Sequence, residues 1–412
     1  MKYFQSIFVM VLFGFCSSET DDKPQFKIDC TFESFADFKS ELTRIAAIKS
    51  EDDRELFLTE LWDTLKNRNQ IPFIFGDSIA FLYKGEANSV SWAGDFNGWD
   101  PTMDGYQGSK VGLSNIWIAE QKFPSDARLD YKIVVNNNWI LDPANSFTQM
   151  SGFGPNSELR MPGWIYPQET ILQAGATRGT LSDNITIVSN ASNLNYSVQY
   201  KVYTPYGYDE LINLPVIYVT DGHEYSDNAK GSMIIVLDNL IFSGLIDPVI
   251  AIFIDPRNPS NLSQNRRMDE YRANIKFANF VADELAPVID SNYKTNTSAD
   301  ARAILGTSLG GWNSAYFGYA RNDKFHLIGI HSPAFDETII QNYNNSALMP
   351  LKIYMSTGVI YDTQNQARSM KIVMENKGYA LLYKEVNEGH SWGNWRALID
   401  EPLMYFFGKY KY

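Results

Sequence analysis

Residues Ile304 to Ser314 read ILGTSLGGWNS. Within them a serine stands between glycines, Gly306-Thr307-Ser308-Leu309-Gly310, after an apolar run that reads as a strand and before WNSAYFGYA, which reads as a helix. A strand that turns at once into a helix forces the corner residue into a strained backbone, and a side chain two positions away on either side would strike the strand or the helix. Glycines at 306 and 310 therefore fit two readings: tight packing of strand on helix, or a nucleophile held at the end of a sheet. The rest of the chain decides between them.

Around this run, strands and helices alternate. NITIVSN and SVQYKVYTP read as an antiparallel pair, LPVIYVTDG and PVIAIFID as buried parallel strands, and ANIKFANFVADELAPVID as a crossover helix. ARAILG, FHLIGIHSP, LKIYMSTG and YALLYKEV continue the strand series. This alternation predicts a mostly parallel α/β sheet covered on both faces, over residues 181–412.

The preceding sequence has a different rhythm. Residues 71–164 carry short alternating runs broken by turn residues, among them SIAFLYKG, SVSWAGDF, NIWIAEQKF and LDYKIVVNN, which predict an antiparallel β-sandwich. Residues 17–70 include FADFKSELTRIAAI and ELFLTELWDTLKN, two amphipathic helices that need a neighbouring surface to cover. Residues 165–180 are polar and read as a linker.

The chain begins MKYFQSIFVMVLFGFCSSETDD, a lysine, an apolar stretch from Ile7 to Phe15, then Cys16 and an acidic run. That stretch is shorter than the roughly 20 apolar residues a membrane span needs, so it reads as an export signal over residues 1–16. Its cysteine resembles the lipidated residue of a bacterial lipoprotein, although Phe15 stands where such signals carry a small residue. An exported protein follows, lipid-anchored at Cys16 in the periplasm or at the cell surface, or secreted.

With 412 residues, 44% of them hydrophobic, the chain can bury a substantial core. A net charge of -13 opposes phosphate backbones, so no nucleic-acid partner is expected. Two cysteines and four histidines make a His/Cys metal site hard to assemble, and no metal or other cofactor is expected. Oligomeric state leaves no mark in the sequence.

A serine hydroxyl needs a base to become a nucleophile, and histidine is the usual one. Of His223, His326, His331 and His390, only His390, in NEGHSWGNW after the last strand, fits the order serine, acid, histidine along an α/β-hydrolase sheet. The acid belongs after the preceding strand, where LKIYMSTGVIYDTQ offers one carboxylate, Asp362. The developing oxyanion needs backbone amides. Leu309, at the start of the helix, supplies one, and the loop Asp221-Gly222-His223 supplies the other; His223 reads equally well as a structural side chain.

At this point VIYVTDGHEY, RMDEY, GTSLGGW, GVIYDTQ and NEGHSWGNWR resemble the esterase D family of α/β hydrolases, in particular its enterochelin-esterase-like branch. The resemblance implies a triad of Ser308, Asp362 and His390, and a substrate pocket near Arg267, Glu270 and Trp392. One residue more than in the commoner forms separates Gly358 from Asp362, which leaves Glu388 as the alternative acid. Upstream, WAGDFNGWDP, DYKIVVNNNW and FGPNSELRMPGW are similar to immunoglobulin-like early-set domains and family 48 carbohydrate-binding modules. That likeness implies Trp99, Lys132 and Trp139 as a sugar platform, with polysaccharide as a partner; the other role such a domain takes is to pack over the hydrolase and shape its pocket.

The expected activity is a serine carboxylic ester hydrolase acting on a feruloyl or acetyl ester of plant polysaccharide or on a catecholate siderophore. The alternative is a non-catalytic glycan-binding surface protein with a decayed hydrolase domain. An ordered Ser308, Asp362 and His390 argues for the first.

Overall fold

A computed structural model describes residues 30–409; the export signal and Cys16 lie outside the described residues. Two helices come first, α1 (Phe35–Ala46) and α2 (Glu51–Asn67). Each begins at a serine, Ser34 or Ser50, whose hydroxyl accepts the amide of Asp37 or Asp53. Acidic residues follow in both first turns, where the helix dipole favours them.

Nine strands then form two antiparallel sheets. The first has the order β1 (Phe73–Phe75), β2 (Ser78–Lys84), β5 (Ile116–Lys122) and β4 (Ser109–Lys110). The second has the order β3 (Val90–Gly94), β6 (Arg128–Val135), β9 (Gly154–Arg160) and β8 (Thr148–Ser151), with β7 (Asn138–Ile140) paired to β6. The sheets face each other across one core, with Ile79, Phe81 and Trp117 from the first meeting Trp92, Leu129, Tyr131 and Ile133 from the second.

The first sheet is covered on its other face too. Ala80, Leu82 and Ile116 point away from that core and pack with Phe38, Leu42, Ile45, Leu58, Leu61 and Leu65 of α1 and α2. The rings of Phe38 and Phe73 stack at 3.9 Å. At about 1.5–3 kcal/mol per buried large side chain, this docking supplies the core that the two helices lack alone.

The remaining strands form one mixed sheet in the order β10 (Thr180–Leu181), β12 (Ser197–Thr204), β14 (Ile250–Asp255), β13 (Val216–Val219), β17 (Arg302–Thr307), β18 (Leu327–His331), β19 (Lys352–Gly358) and β20 (Ala380–Val386). β11 (Ile185–Val188) also pairs with β12, and β15 (Arg257–Asn258) with β16 (Asn261–Asn265) makes a separate hairpin. From β14 to β20 the pairing is parallel, and β12 joins β14 antiparallel. β13, β14, β17 and β18 are buried at every position, which is why they read as unbroken apolar runs. Val216 and Tyr218 enter the core on one face of the sheet, Ile217 and Val219 that on the other.

Two segments differ from expectation. The crossover helix is three pieces end to end, α-helical at Ile275–Asn279 and Ala286–Asn292 with a π-helical stretch at Phe280–Leu285 between them. Pro287 lacks an amide hydrogen and crowds the carbonyl four residues back, and the wider turn before it absorbs that crowding. The expected linker is held against the α/β unit. Asn239 of the helix Met233–Phe242 donates to the carbonyls of Glu169 and Ile171 and accepts the amide of Gln173.

Candidate active site

Parallel strands place their loops at one sheet edge, and four of those loops contain a residue with left-handed φ. Asp221 follows β13, Ser308 follows β17, Ser332 follows β18 and Tyr361 follows β19. Ser308 takes φ 58° and ψ -117°, a conformation costing a non-glycine residue about 1–3 kcal/mol. It is pinned there: its amide donates to the His331 carbonyl at 2.9 Å, and its carbonyl accepts the amides of Trp312 and Ala334. A Cβ on Gly306 would lie 2.3 Å from the Gly310 carbonyl oxygen, and one on Gly310 2.7 Å from Thr220 Oγ1. Close packing thus accounts for the glycines, and the corner they permit presents the serine.

The Ser308 hydroxyl lies 2.9 Å from His390 Nε2, and His390 Nδ1 lies 2.6 Å from Asp362 Oδ1. Asp362 also accepts the Ser332 hydroxyl and the Gly358 amide, each at 2.6 Å, through Oδ2. Burial pushes its carboxyl upward, but the His390 contact and the other donors outweigh that and hold it below its ordinary value. It stays ionised at neutral pH. Trp395 sets its ring edge-on to His390 at 5.0 Å and donates its indole N–H to Ser332. The structure therefore brings together the three residues that the sequence singled out.

His331 and His326 stand elsewhere. His331 is fully buried, with Nδ1 2.8 Å from Ser356 Oγ, and burial pulls it down to about 3, so it remains neutral. His326 pairs with Asp300. His223 approaches Asp255 at 3.4 Å and is lowered by burial.

Leu309 opens the helix Leu309–Ala320 directly after Ser308, and Gly222 with His223 opens the short helix Gly222–Tyr225 after β13, the strand beside β17. A Cβ on Gly222 would strike the Phe253 backbone at 2.3 Å, so the loop lies flat on β14. Arg267 stands beside this corner. Its Nε donates to both Asp221 oxygens at 2.9 Å and its terminal nitrogen to the Thr307 carbonyl at 3.1 Å. The guanidinium thus braces the two loops against each other.

Two expected pocket residues are buried. Glu270 is 1% exposed and accepts the Tyr196 hydroxyl, and Trp392 is 2% exposed, wedged against Tyr225 and Trp395. Both are large side chains drawn into the interior. The alternative acid, Glu388, faces away from the histidine and accepts the Trp164 indole N–H. Lys132, Val134 and Trp139 share the outer face of the second sheet by their pairing, and the Trp99 ring stacks on Trp139 at 6.4 Å and 24°. Trp139 is 46% exposed. Trp99 in turn donates to Asp95, whose carboxylate packs against Gly389 beside His390.

Burial raises Asp95 and Glu388 to about 7 from 3.8 and 4.5. For a carboxyl raised in the folded chain, the folded state holds the extra proton, so its stabilisation is full at low pH and is lost as pH climbs through about 7. Glu388→Gln keeps the acceptor for Trp164 and cannot ionise. Against wild type, its unfolding free energy is expected to gain on the order of a few kcal/mol between pH 4.5 and 8. Parallel pH dependence of the two proteins in chemical denaturation would contradict this.

A family model described as "Putative esterase" matches residues 191–406. Among curated proteins, the uncharacterized protein YjcH of Bacillus subtilis (strain 168) is 25% identical over 225 residues, 51% of this chain and 91% of its own length. The endo-1,4-beta-xylanase/feruloyl esterase of Xylanibacter ruminicola is 30% identical over 139 residues, covering 32% of this chain and only 19% of that protein. Among solved structures, the ferric enterobactin esterase of Salmonella typhimurium superposes with a TM-score of 0.67 at 17% identity, over 79% of this chain and 92% of that one.

Proposed function

The chain belongs to the putative esterase family, and on that premise we propose that it is a serine carboxylic ester hydrolase working through an acyl-enzyme. The observation that carries this reading is the hydrogen-bonded series Ser308, His390, Asp362 at the sheet edge. Ser308 Oγ attacks the ester carbonyl while His390 Nε2 takes its proton, and Asp362 holds Nδ1 protonated and stabilises the imidazolium. The amides of Leu309 and of Gly222 or His223 receive the oxyanion. His390 passes the proton to the departing alcohol. Water then enters, gives a proton to His390 and attacks the acyl carbon, which returns the free serine and the acid.

The substrate we propose is an ester with an aromatic or sugar-linked part, feruloyl or acetyl groups on plant polysaccharide or a catecholate siderophore. Support comes from the xylanase/feruloyl esterase relative, from the fold shared with an enterobactin esterase, and from the Trp99 and Trp139 pair on the side of the molecule that carries His390. Methyl ferulate, acetylated xylan and a catecholate siderophore offered to wild type and Ser308→Ala test it. Serine-dependent release from none of the three would end this substrate assignment.

If a sugar chain rests on the tryptophans, Trp139→Ala removes stacking worth about 1 kcal/mol. KM for a polysaccharide-linked ester should then rise roughly fivefold, with methyl ferulate unchanged. Equal effects on both substrates would remove the platform from the reading. The N-terminal segment supports export, with lipid at Cys16 or secretion. An intact Ser308, His390 and Asp362 series favours the enzyme over a non-catalytic glycan binder.

A further inference from the structure

The loop that carries His390 is held from outside its own domain. Asn387 accepts the Arg128 amide at 3.3 Å and donates its side chain to Asp126 at 2.8 Å. Glu388 accepts the Trp164 indole, and Gly389 lies so close to Asp95 that a Cβ would sit 2.4 Å from its carboxyl carbon. The Ser391 hydroxyl accepts from Arg128 Nη1 at 3.1 Å. Every one of those partners belongs to the sandwich unit or its C-terminal edge, so His390 is left as the loop residue that faces Ser308.

Arg128 is the centre of this grip. It is completely buried on β6, where its Nε donates to Glu158 at 2.6 Å and its Nη2 to Asp130 at 2.5 Å. The two carboxylates orient the guanidinium fork and leave Nη1 for Ser391. Gly393 completes the seat, since a Cβ there would fall 1.9 Å from the guanidinium carbon. The helix Trp392–Arg396 therefore begins on the flat of Arg128, and its Asn394 donates to the Gly389 carbonyl at 2.9 Å. Both sides of the His390 loop thus meet Arg128, Asn387 through its backbone amide and Ser391 and Gly393 through its guanidinium.

We propose that Arg128, a residue of the sandwich, is a positioning residue for His390, so that the sandwich and the hydrolase sheet form a single catalytic unit. The inference rests on the ester-hydrolase reading given above. Placement matters because a general base displaced by about 1 Å can lose up to roughly 100-fold in rate. A ring held only by Asp362 would be free to swing about that contact, whereas a loop fastened on both sides of residue 390 also sets its distance from Ser308.

The test uses the full chain with Ser391→Ala, Gly393→Ala and Arg128→Lys. Arg128→Lys keeps the charge and loses the fork, Gly393→Ala pushes the guanidinium from its seat, and Ser391→Ala removes one hydrogen bond. Steady-state hydrolysis of p-nitrophenyl acetate is measured together with hydrogen exchange of the amides at 387–396. For Gly393→Ala and Arg128→Lys, kcat should fall roughly 10- to 100-fold with KM within about twofold. The loop amides should exchange about tenfold faster while those of β17 and β19 keep their protection. Ser391→Ala should give the same pattern at about threefold.

Wild-type kcat and wild-type loop exchange in folded Ser391→Ala and Gly393→Ala overturn the proposal, even if Arg128→Lys fails to fold. A rise in KM alone, with kcat unchanged, overturns it as well. If wild type is no faster than Ser308→Ala, the ester-hydrolase reading falls, and the exchange data still decide whether Arg128 holds the loop.

Discussion

Ser308→Ala is expected to lower kcat for a p-nitrophenyl ester by roughly 10⁴- to 10⁶-fold, leaving the residual rate that the oxyanion amides and substrate binding supply. The size follows from the hydroxyl being the atom that bonds to the acyl carbon; among the described residues it is the hydroxyl that pairs with His390 Nε2. The fold should be indifferent, because alanine meets the same backbone strain as serine at φ 58°, ψ -117°. Glycine there relieves that strain, so Ser308→Gly should be about 1 kcal/mol more stable than wild type and equally inactive. Mass spectrometry of wild type mixed with a slowly deacylating ester should show an acyl adduct on the peptide containing Ser308. A variant that turns over at the wild-type rate, or an adduct on another residue, would defeat the assignment of the nucleophile.

Asp362→Asn should cost about 10⁴-fold in kcat. Asparagine offers an NH2 donor or a weaker acceptor toward His390 Nδ1, and its donor favours the imidazole tautomer with the proton on Nε2, facing the serine. That tautomer cannot take the Ser308 proton. The Ser332 and Gly358 donors also lose the anion they now surround at 2.6 Å. Glu388→Gln is the internal comparison. Glu388 has no contact with the imidazole, so this variant should keep kcat within about threefold. The reverse ranking, with Glu388→Gln the slower of the two, would transfer the acid role to Glu388.

Much of this was legible in the linear chain. The apolar runs before Thr220, Ser308, Ser332 and Asp362 are strands buried on both faces, and such strands have no polar side to show. Gly306 and Gly310 stand out because no side chain fits between β17, its helix and Thr220. The order of serine, acid and histidine is readable because parallel strands deliver successive loops to one edge. The pattern of β2 was less readable. SIAFLYK is buried continuously from Ile79 to Leu82 because α1 and α2 cover the face that alternation would leave to water.

Residue type and order alone thus determined the α/β sheet, the serine at its corner and the histidine that could serve it, and narrowed the acid to Asp362 or Glu388. Tertiary structure decided what sequence distance conceals. Glu270 and Trp392 are drawn into the interior, Arg267 braces Asp221 to Thr307, and Glu388 turns toward Trp164. Arg128 reaches Ser391 across two units of the fold. Strand and turn patterns arise from neighbours a few residues apart, so they are written locally. A buried cation is stabilised by whichever carboxylates and hydroxyls the fold brings within about 3 Å, and only the folded chain selects those.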